Sequence, residues 1–191
     1  MFNVLMNDSK LVYVLVEAIP IIALVLFTMA YRLDCGRKCA LVCVAGEIVL
    51  CFYSAFIGAW MGLMIGPLAV IRSAATAYAS DRMMHCIAGV YILAAWGMFF
   101  ARSEFLYDFL PIIATSLGTY SLLCRDNPLL RNMTGIVGSM VWMSYYACVG
   151  GVGGALLQVI FIASTVQASW PLLRPYFERR VLTGMGFSRT G

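Results

Sequence analysis

Seven stretches of apolar sequence, near residues 11–31, 39–57, 60–80, 83–101, 105–123, 130–149 and 152–173, are separated only by short charged or glycine-bearing knots. Each is long enough to cross a bilayer as a helix, which takes about 20 residues. Lipid offers no partner to a backbone N–H or C=O, so a spanning segment is either a helix or a strand of a closed barrel. These runs lack the period-two alternation of barrel strands. The expectation is an all-α membrane protein of seven transmembrane helices forming one integral domain. Composition agrees, because 62% of the 191 residues are apolar and only 12% are charged, against about 25% charged in an average soluble domain. A soluble fold of this size leaves too much of its surface in water to hide so apolar a chain.

Charge placement orients the spans. Asp8 and Lys10 precede the first run while Arg32, Arg37 and Lys38 follow it, which is the wrong flanking pattern for a cleaved signal. Sorting Lys and Arg onto alternate sides puts Arg32, Arg37, Lys38, Arg82, Arg125, Arg131, Arg174, Arg179, Arg180 and Arg189 on one face and only Lys10 and Arg102 on the other. Basic residues stay where translocation is hardest, so the first face is cytoplasmic, the N-terminus lies outside and the basic tail at 174–191 lies inside. The net charge of +4 is explained by that asymmetry, and no nucleic acid is expected as a partner.

An internal repeat organises the runs. Glu17-Ala18-Ile19-Pro20-Ile21-Ile22-Ala23 is matched by Asp108-Phe109-Leu110-Pro111-Ile112-Ile113-Ala114 at a displacement of 91. At displacement 92, Asp34, Gly46, Val49, Tyr53, Ala55, Gly58 and Gly62 meet Asp126, Gly138, Val141, Tyr145, Ala147, Gly150 and Gly154. Spans one to three (11–80) therefore match spans five to seven (105–173), and the fourth (83–101) is an unpaired linker. A single linker span returns the chain to its starting face, so the two triple-helix units run parallel about an axis along the membrane normal.

The stretch from Gly58 through Pro67, the Ile71-Arg72-Ser73 triplet, Leu110-Pro111-Ile112-Ile113 and Gly150-Gly151-Val152-Gly153-Gly154 resembles the YgjV-type family of bacterial inner-membrane proteins over nearly the whole chain. That family is similar in turn to the MtN3 group of SWEET sugar carriers and PQ-loop proteins. The resemblance implies a 3+1+3 plan and residence in the bacterial inner membrane. Ala69 departs from the pattern, which has Asn three residues before the arginine, and no Pro-Gln pair occurs.

Ionisable groups inside the spans are the candidate pathway residues, because a charge at mid-helix costs about 2.5–3.5 kcal/mol on insertion scales and seeks protein or water. Glu47 and Arg72 each lie about eight residues from the cytoplasmic ends of their spans, hence about 12 Å deep, and are placed to pair. Their repeat mates are Ser139 and Ser164, and a carrier would direct all four to one cavity between the halves. Glu17 and Asp108 recur one turn outward of Pro20 and Pro111; the carboxylates read as an acidic mouth, as a protonatable pair that permits proton coupling, or as snorkelling groups, and the prolines as matched hinges. Gln158, Gln167, Asn132 and Thr165 are polar groups that either line a path or bond across helices. Gly58, Gly62, Gly66, Gly150 and Gly154 read as helix-packing positions, and Trp60, Trp96, Trp142 and Trp170 as anchors or packing.

No catalytic or metal site is legible. Cys35, Cys39 and Cys43 fall at i, i+4, i+8 near the reducing face and read as small packing residues. His85 is the only histidine, too few for a zinc hydrolase or a nucleophile triad. Leu156 stands where a dinucleotide fingerprint after Gly151 and Gly153 needs glycine. The expectation is a transporter or facilitator of a small polar solute working by alternating access, not an enzyme, with no cofactor. The competing expectation is an accessory or scaffold protein whose glycine faces bind partner helices or a second copy.

Overall fold

A computed structural model describes residues 10–31, 36–102, 105–124 and 127–184. The described residues form seven α-helices: α1 (Lys10–Tyr31), α2 (Gly36–Phe56), α3 (Trp60–Thr76), α4 (Asp81–Arg102), α5 (Phe109–Leu123), α6 (Pro128–Val149) and α7 (Val152–Gly184), with a 3-10 turn at Leu106–Asp108 before α5. Helices replace the seven apolar runs one for one, and the differences lie at the ends. The third helix stops at Thr76, where the Ala77 N–H turns back onto the Ala74 carbonyl and the Tyr78 N–H onto that of Ala75. The fifth starts later than its apolar run because Asp108 Oδ2 accepts the Phe105 N–H at 3.0 Å, folding the preceding residues into the 3-10 turn. The seventh continues beyond the apolar run to Gly184, well into the segment expected as a tail.

On length and apolarity alone, Val12–Ala30, Arg82–Arg102 and Val152–Arg174 qualify as membrane-crossing segments among the described residues, and Ala40–Phe56 and Trp60–Ala75 are shorter apolar helices. The outer surface is apolar in every quarter: Val14, Ile21, Val90, Leu93, Phe100 and Leu156 are all exposed. Water would not tolerate so much uncovered hydrocarbon on a monomer; lipid does.

Packing is densest along α1–α2–α3 and along α5–α6–α7, while α4 rests more lightly on α3 and α5, α7 closes onto α1, and α3 touches α5. Short connections make sequential neighbours antiparallel. The turns after α2, α4 and α6 therefore share one end of the bundle. The buried core gathers toward that end from six helices: Val16, Tyr53, Met61, Ile65, Ala95, Ile112, Tyr145 and Tyr146, with Ala59 in the turn before α3. Hydrophobic exclusion supplies little between helices in lipid, so close backbone approach and buried polar bonds take its place. Gly46 lies against Phe27 of α1, and Gly138 lies 3.3 Å, measured from its virtual Cβ, from the Ala114 carbonyl of α5.

The turns after α2 and α6 are alike bond for bond. Gly58 has φ +72° and Gly150 φ +79°, a left-handed conformation that only glycine adopts without penalty. The Ala59 N–H reaches the Ser54 carbonyl at 2.9 Å and the Gly151 N–H reaches that of Tyr146 at 2.8 Å. The Gly58 N–H bonds to Ala55 and the Gly150 N–H to Ala147, completing a Schellman closure at each turn.

Candidate functional site

Neither α3 nor α7 begins with a side-chain cap. Ala59 precedes α3 and makes no side-chain bond, and Gly151, which precedes α7, has no side chain to give. Their first-turn N–H groups need acceptors from elsewhere. The Tyr145 hydroxyl on α6 accepts the Gly62 N–H of α3 at 3.2 Å, and the Tyr53 hydroxyl on α2 accepts the Gly154 N–H of α7 at 3.0 Å. Each tyrosine thus satisfies the third residue of a helix in the opposite half of the chain. A Cβ at Gly154 would sit 2.8 Å from the Tyr53 ring, too close to fit without a shift, and one at Gly62 would press on Ser54 Oγ at 3.0 Å. Tyr146 packs between the two with its ring tilted to each, 5.8 Å from Tyr53 and 5.9 Å from Tyr145 in ring centroids.

Glu17 joins this set. Its Oε2 accepts the Tyr53 hydroxyl at 3.0 Å and the Gly153 N–H, a carboxylate placed on a helix N-terminus where the dipole favours it. Its Oε1 is buried without a partner. Asp108 is buried before α5, and it lines a cavity of about 340 Å³ together with Met61, Met64, Arg102, Tyr107 and Tyr145. Gly58, Trp60, Phe105 and Val149 complete the wall.

The second polar centre lies toward the other end. Arg72 Nη2 donates to Glu47 Oε1 at 3.1 Å, Nη1 donates to Thr119 Oγ1 at 3.1 Å, and the guanidinium sits 4.9 Å from the centroid of the Tyr91 ring. Ser73 Oγ donates to the same carboxylate oxygen at 2.8 Å. Thr119 donates its own proton to the Thr115 carbonyl at 2.8 Å, leaving a lone pair for Arg72. The Tyr91 hydroxyl is bonded to the Thr115 side chain. One buried ion pair thereby ties α2, α3, α4 and α5 together. Its hydrogen bonding is incomplete, for Glu47 Oε2 and Arg72 Nε are buried and unpartnered.

The remaining candidate residues divide. Ser139 and Gln158 are buried on α6 and α7. Ser164 is exposed and bonds to the Ile160 carbonyl of its own helix at 2.9 Å. Of the four residues expected around one cavity, Glu47 and Arg72 pair, and none lines the cavity beside Asp108. On the Arg72 side α4 packs against both α3 and α5. Pro20 lies inside α1 and Pro111 in the first turn of α5, where a missing N–H frees no carbonyl. Both are fully buried, but the matched pair of mid-helix hinges is corrected to one mid-helix and one helix-starting proline.

Asn132 Nδ2 donates across helices to Ser169 Oγ at 2.9 Å, and Thr165 bonds back to Phe161. Trp60 and Trp170 are exposed, whereas Trp96 and Trp142 sit in aromatic clusters, 5.4 Å from Phe109 and 5.7 Å from Tyr146. Among the described residues no group of three metal-binding side chains occurs; Cys35 and the Cys39 side chain lie outside the described residues. Sequence reading leaves Tyr91, Thr115 and Thr119 unnoticed, and treats Tyr53 and Tyr145 only as repeat markers. Their signal is the shared Tyr-x-Ala-x-x-Gly-x-x-x-Gly spacing, which pairs each hydroxyl with a helix-starting glycine.

An apolar-surfaced helical bundle that compensates an ion pair inside its spans is an integral membrane protein. The family model for bacterial inner membrane proteins of the YgjV type matches residues 14–174, and the chain belongs to that family. No curated protein and no solved structure matches it.

Proposed function

We propose that the protein is a carrier or facilitator for a small polar solute, built from two parallel three-helix repeats, α1–α3 and α5–α7, joined by α4 in the manner of the MtN3 group. It lies with the α2–α3, α4–α5 and α6–α7 turns outside and the basic end in the cytoplasm, as the distribution of Lys and Arg favours. The observation that carries this reading is the reciprocal pair of bonds, Tyr53 to Gly154 and Tyr145 to Gly62, because partners and glycines alike correspond at displacement 92. Halves facing each other across a pseudo-twofold axis make such an exchange. The contact of α1 with α7 and the contact of α3 with α5 are the same pair under that operation. So are the bonds of Thr28 to Leu24 and Thr119 to Thr115, at displacement 91.

The mechanism rests on where the cross-repeat bonds lie. The tyrosine bonds close the halves at the outer end, and Arg72 to Thr119, reinforced by Tyr91, closes them nearer the cytoplasm. Breaking one set while keeping the other opens the interior to one side at a time, which is alternating access. The unpartnered Glu47 Oε2 and Arg72 Nε present an acceptor and a donor to a solute that reaches them.

Single cysteines at Met64 and Ser139, on a background lacking the native cysteines, test the reading in sealed vesicles with a membrane-impermeant thiol reagent. Labelling of position 64 from the outside and of position 139 from the cytoplasmic side is expected. Protection of position 139 from both sides overturns the carrier and favours a scaffold.

A further inference from the structure

The two halves differ most at their paired carboxylates. On the α1 side the space beside Glu17 is closed: the Gly153 N–H is bonded to the carboxylate, and a Cβ at Gly153 would overlap the Glu17 carbonyl. On the α5 side the residue at the position of Gly153 is Met61, and Met61 and Asp108 both line the 340 Å³ cavity. Ligand sites run from about 300 to 1,000 Å³, so this one suits a small solute.

Among the described residues its walls carry one negative charge, Asp108, and one positive charge, Arg102. Asp108 is at the buried floor beside Tyr145 and Met61, and Arg102 is at the exposed rim. Trp60, Phe105, Tyr107 and Tyr145 supply aromatic surface, with the Phe105 and Tyr107 rings stacked at 5.1 Å. Aromatic faces around a carboxylate attract an ammonium group, and a guanidinium attracts a carboxylate. We infer that this cavity binds a zwitterion, its ammonium group toward Asp108 and the aromatic floor and its anionic group toward Arg102. The inference rests on the carrier reading for the passage of the bound solute, and it names the substrate class of that carrier. Contact with Tyr145 places the solute against the bond to Gly62 that closes the outer end.

Binding is measured on the purified full chain in detergent, by calorimetry and by fluorescence of the wall residue Trp60. The probes are glycine betaine and γ-aminobutyrate as zwitterions, tetramethylammonium and acetate as the separate halves, and glucose as an uncharged polar solute. At least one zwitterion is expected to bind about tenfold or more tighter than either half or glucose. Arg102→Gln is expected to weaken the zwitterion about tenfold and spare tetramethylammonium; Asp108→Asn does the reverse, sparing acetate. Arg102 is exposed, so its variant stays informative if Asp108→Asn fails to fold. Glucose binding as tightly as the zwitterions, no zwitterion binding, or an unchanged affinity in Arg102→Gln overturns the inference. Binding without thiol accessibility from both sides sinks the carrier and leaves the site; alternating accessibility without zwitterion binding does the opposite.

Discussion

Replacing Tyr145 with Phe removes one oxygen and leaves every ring contact in place. The Gly62 N–H, held at 3.2 Å by that oxygen, is buried at an uncapped helix start, so it finds no other acceptor. An orphaned buried donor costs about 1–3 kcal/mol, and a chain of this size loses about 2–4 °C of midpoint per kcal/mol. A fall of roughly 2–12 °C results. Tyr53→Phe loses two bonds, the acceptance from Gly154 and the donation to Glu17 Oε2, both at 3.0 Å. Bonds to charged groups contribute about 1.5–3 kcal/mol, so Tyr53→Phe falls further than Tyr145→Phe. The double variant falls further than either single variant, because the two hydroxyls serve separate helix starts. Thermal unfolding in detergent, followed with a thiol-reactive dye that reports emergence of the half-buried Cys43 and Cys51, measures all three. A Tyr145→Phe midpoint within about 1 °C of the parent, or a larger fall than Tyr53→Phe, refutes the reasoning.

Three further outcomes are expected. Glu47→Leu or Arg72→Met alone costs about 3–5 kcal/mol by stranding the partner's charge, while the two together recover most of the loss; the same melting assay decides, and a double variant no better than the singles contradicts the pairing. Gly153→Ala, whose Cβ would overlap the Glu17 carbonyl, drives α7 from α1 and destroys the monodisperse peak in size exclusion, whereas Gly97→Ala, with nothing within 4 Å, leaves it intact. Gly58→Ala loses about 1–2 kcal/mol to its φ of +72°, and Gly58→Asn, which tolerates that conformation better, loses less by thermal midpoint.

The helices are legible in the sequence because lipid fixes their length and forbids other backbone, so apolar runs and charged knots mark the ends within a few residues, except at α7, which runs on to Gly184. The start of α5 is not, since the 3-10 turn depends on one carboxylate reaching the Phe105 N–H. The Glu47–Arg72 pair can be anticipated from matched depth in two helices joined by a short turn. Tyr91 and Thr119 cannot, because their role depends on where α4 and α5 pack. The sequence repeat also suggests too much: Ser164 falls opposite Arg72 at displacement 92 but is exposed and bonds to the Ile160 carbonyl of its own helix.

Rocking of two equivalent halves is measured most directly by spin-label distances between equivalent positions at the two ends. Phe56 with Cys148 reports the outer end and Lys38 with Leu130 the cytoplasmic end; all four are exposed. In the Tyr53→Phe/Tyr145→Phe variant the account predicts a longer 56–148 distance and a shorter 38–130 distance than in the parent. Two unmoved distances, or both lengthening together, contradict it.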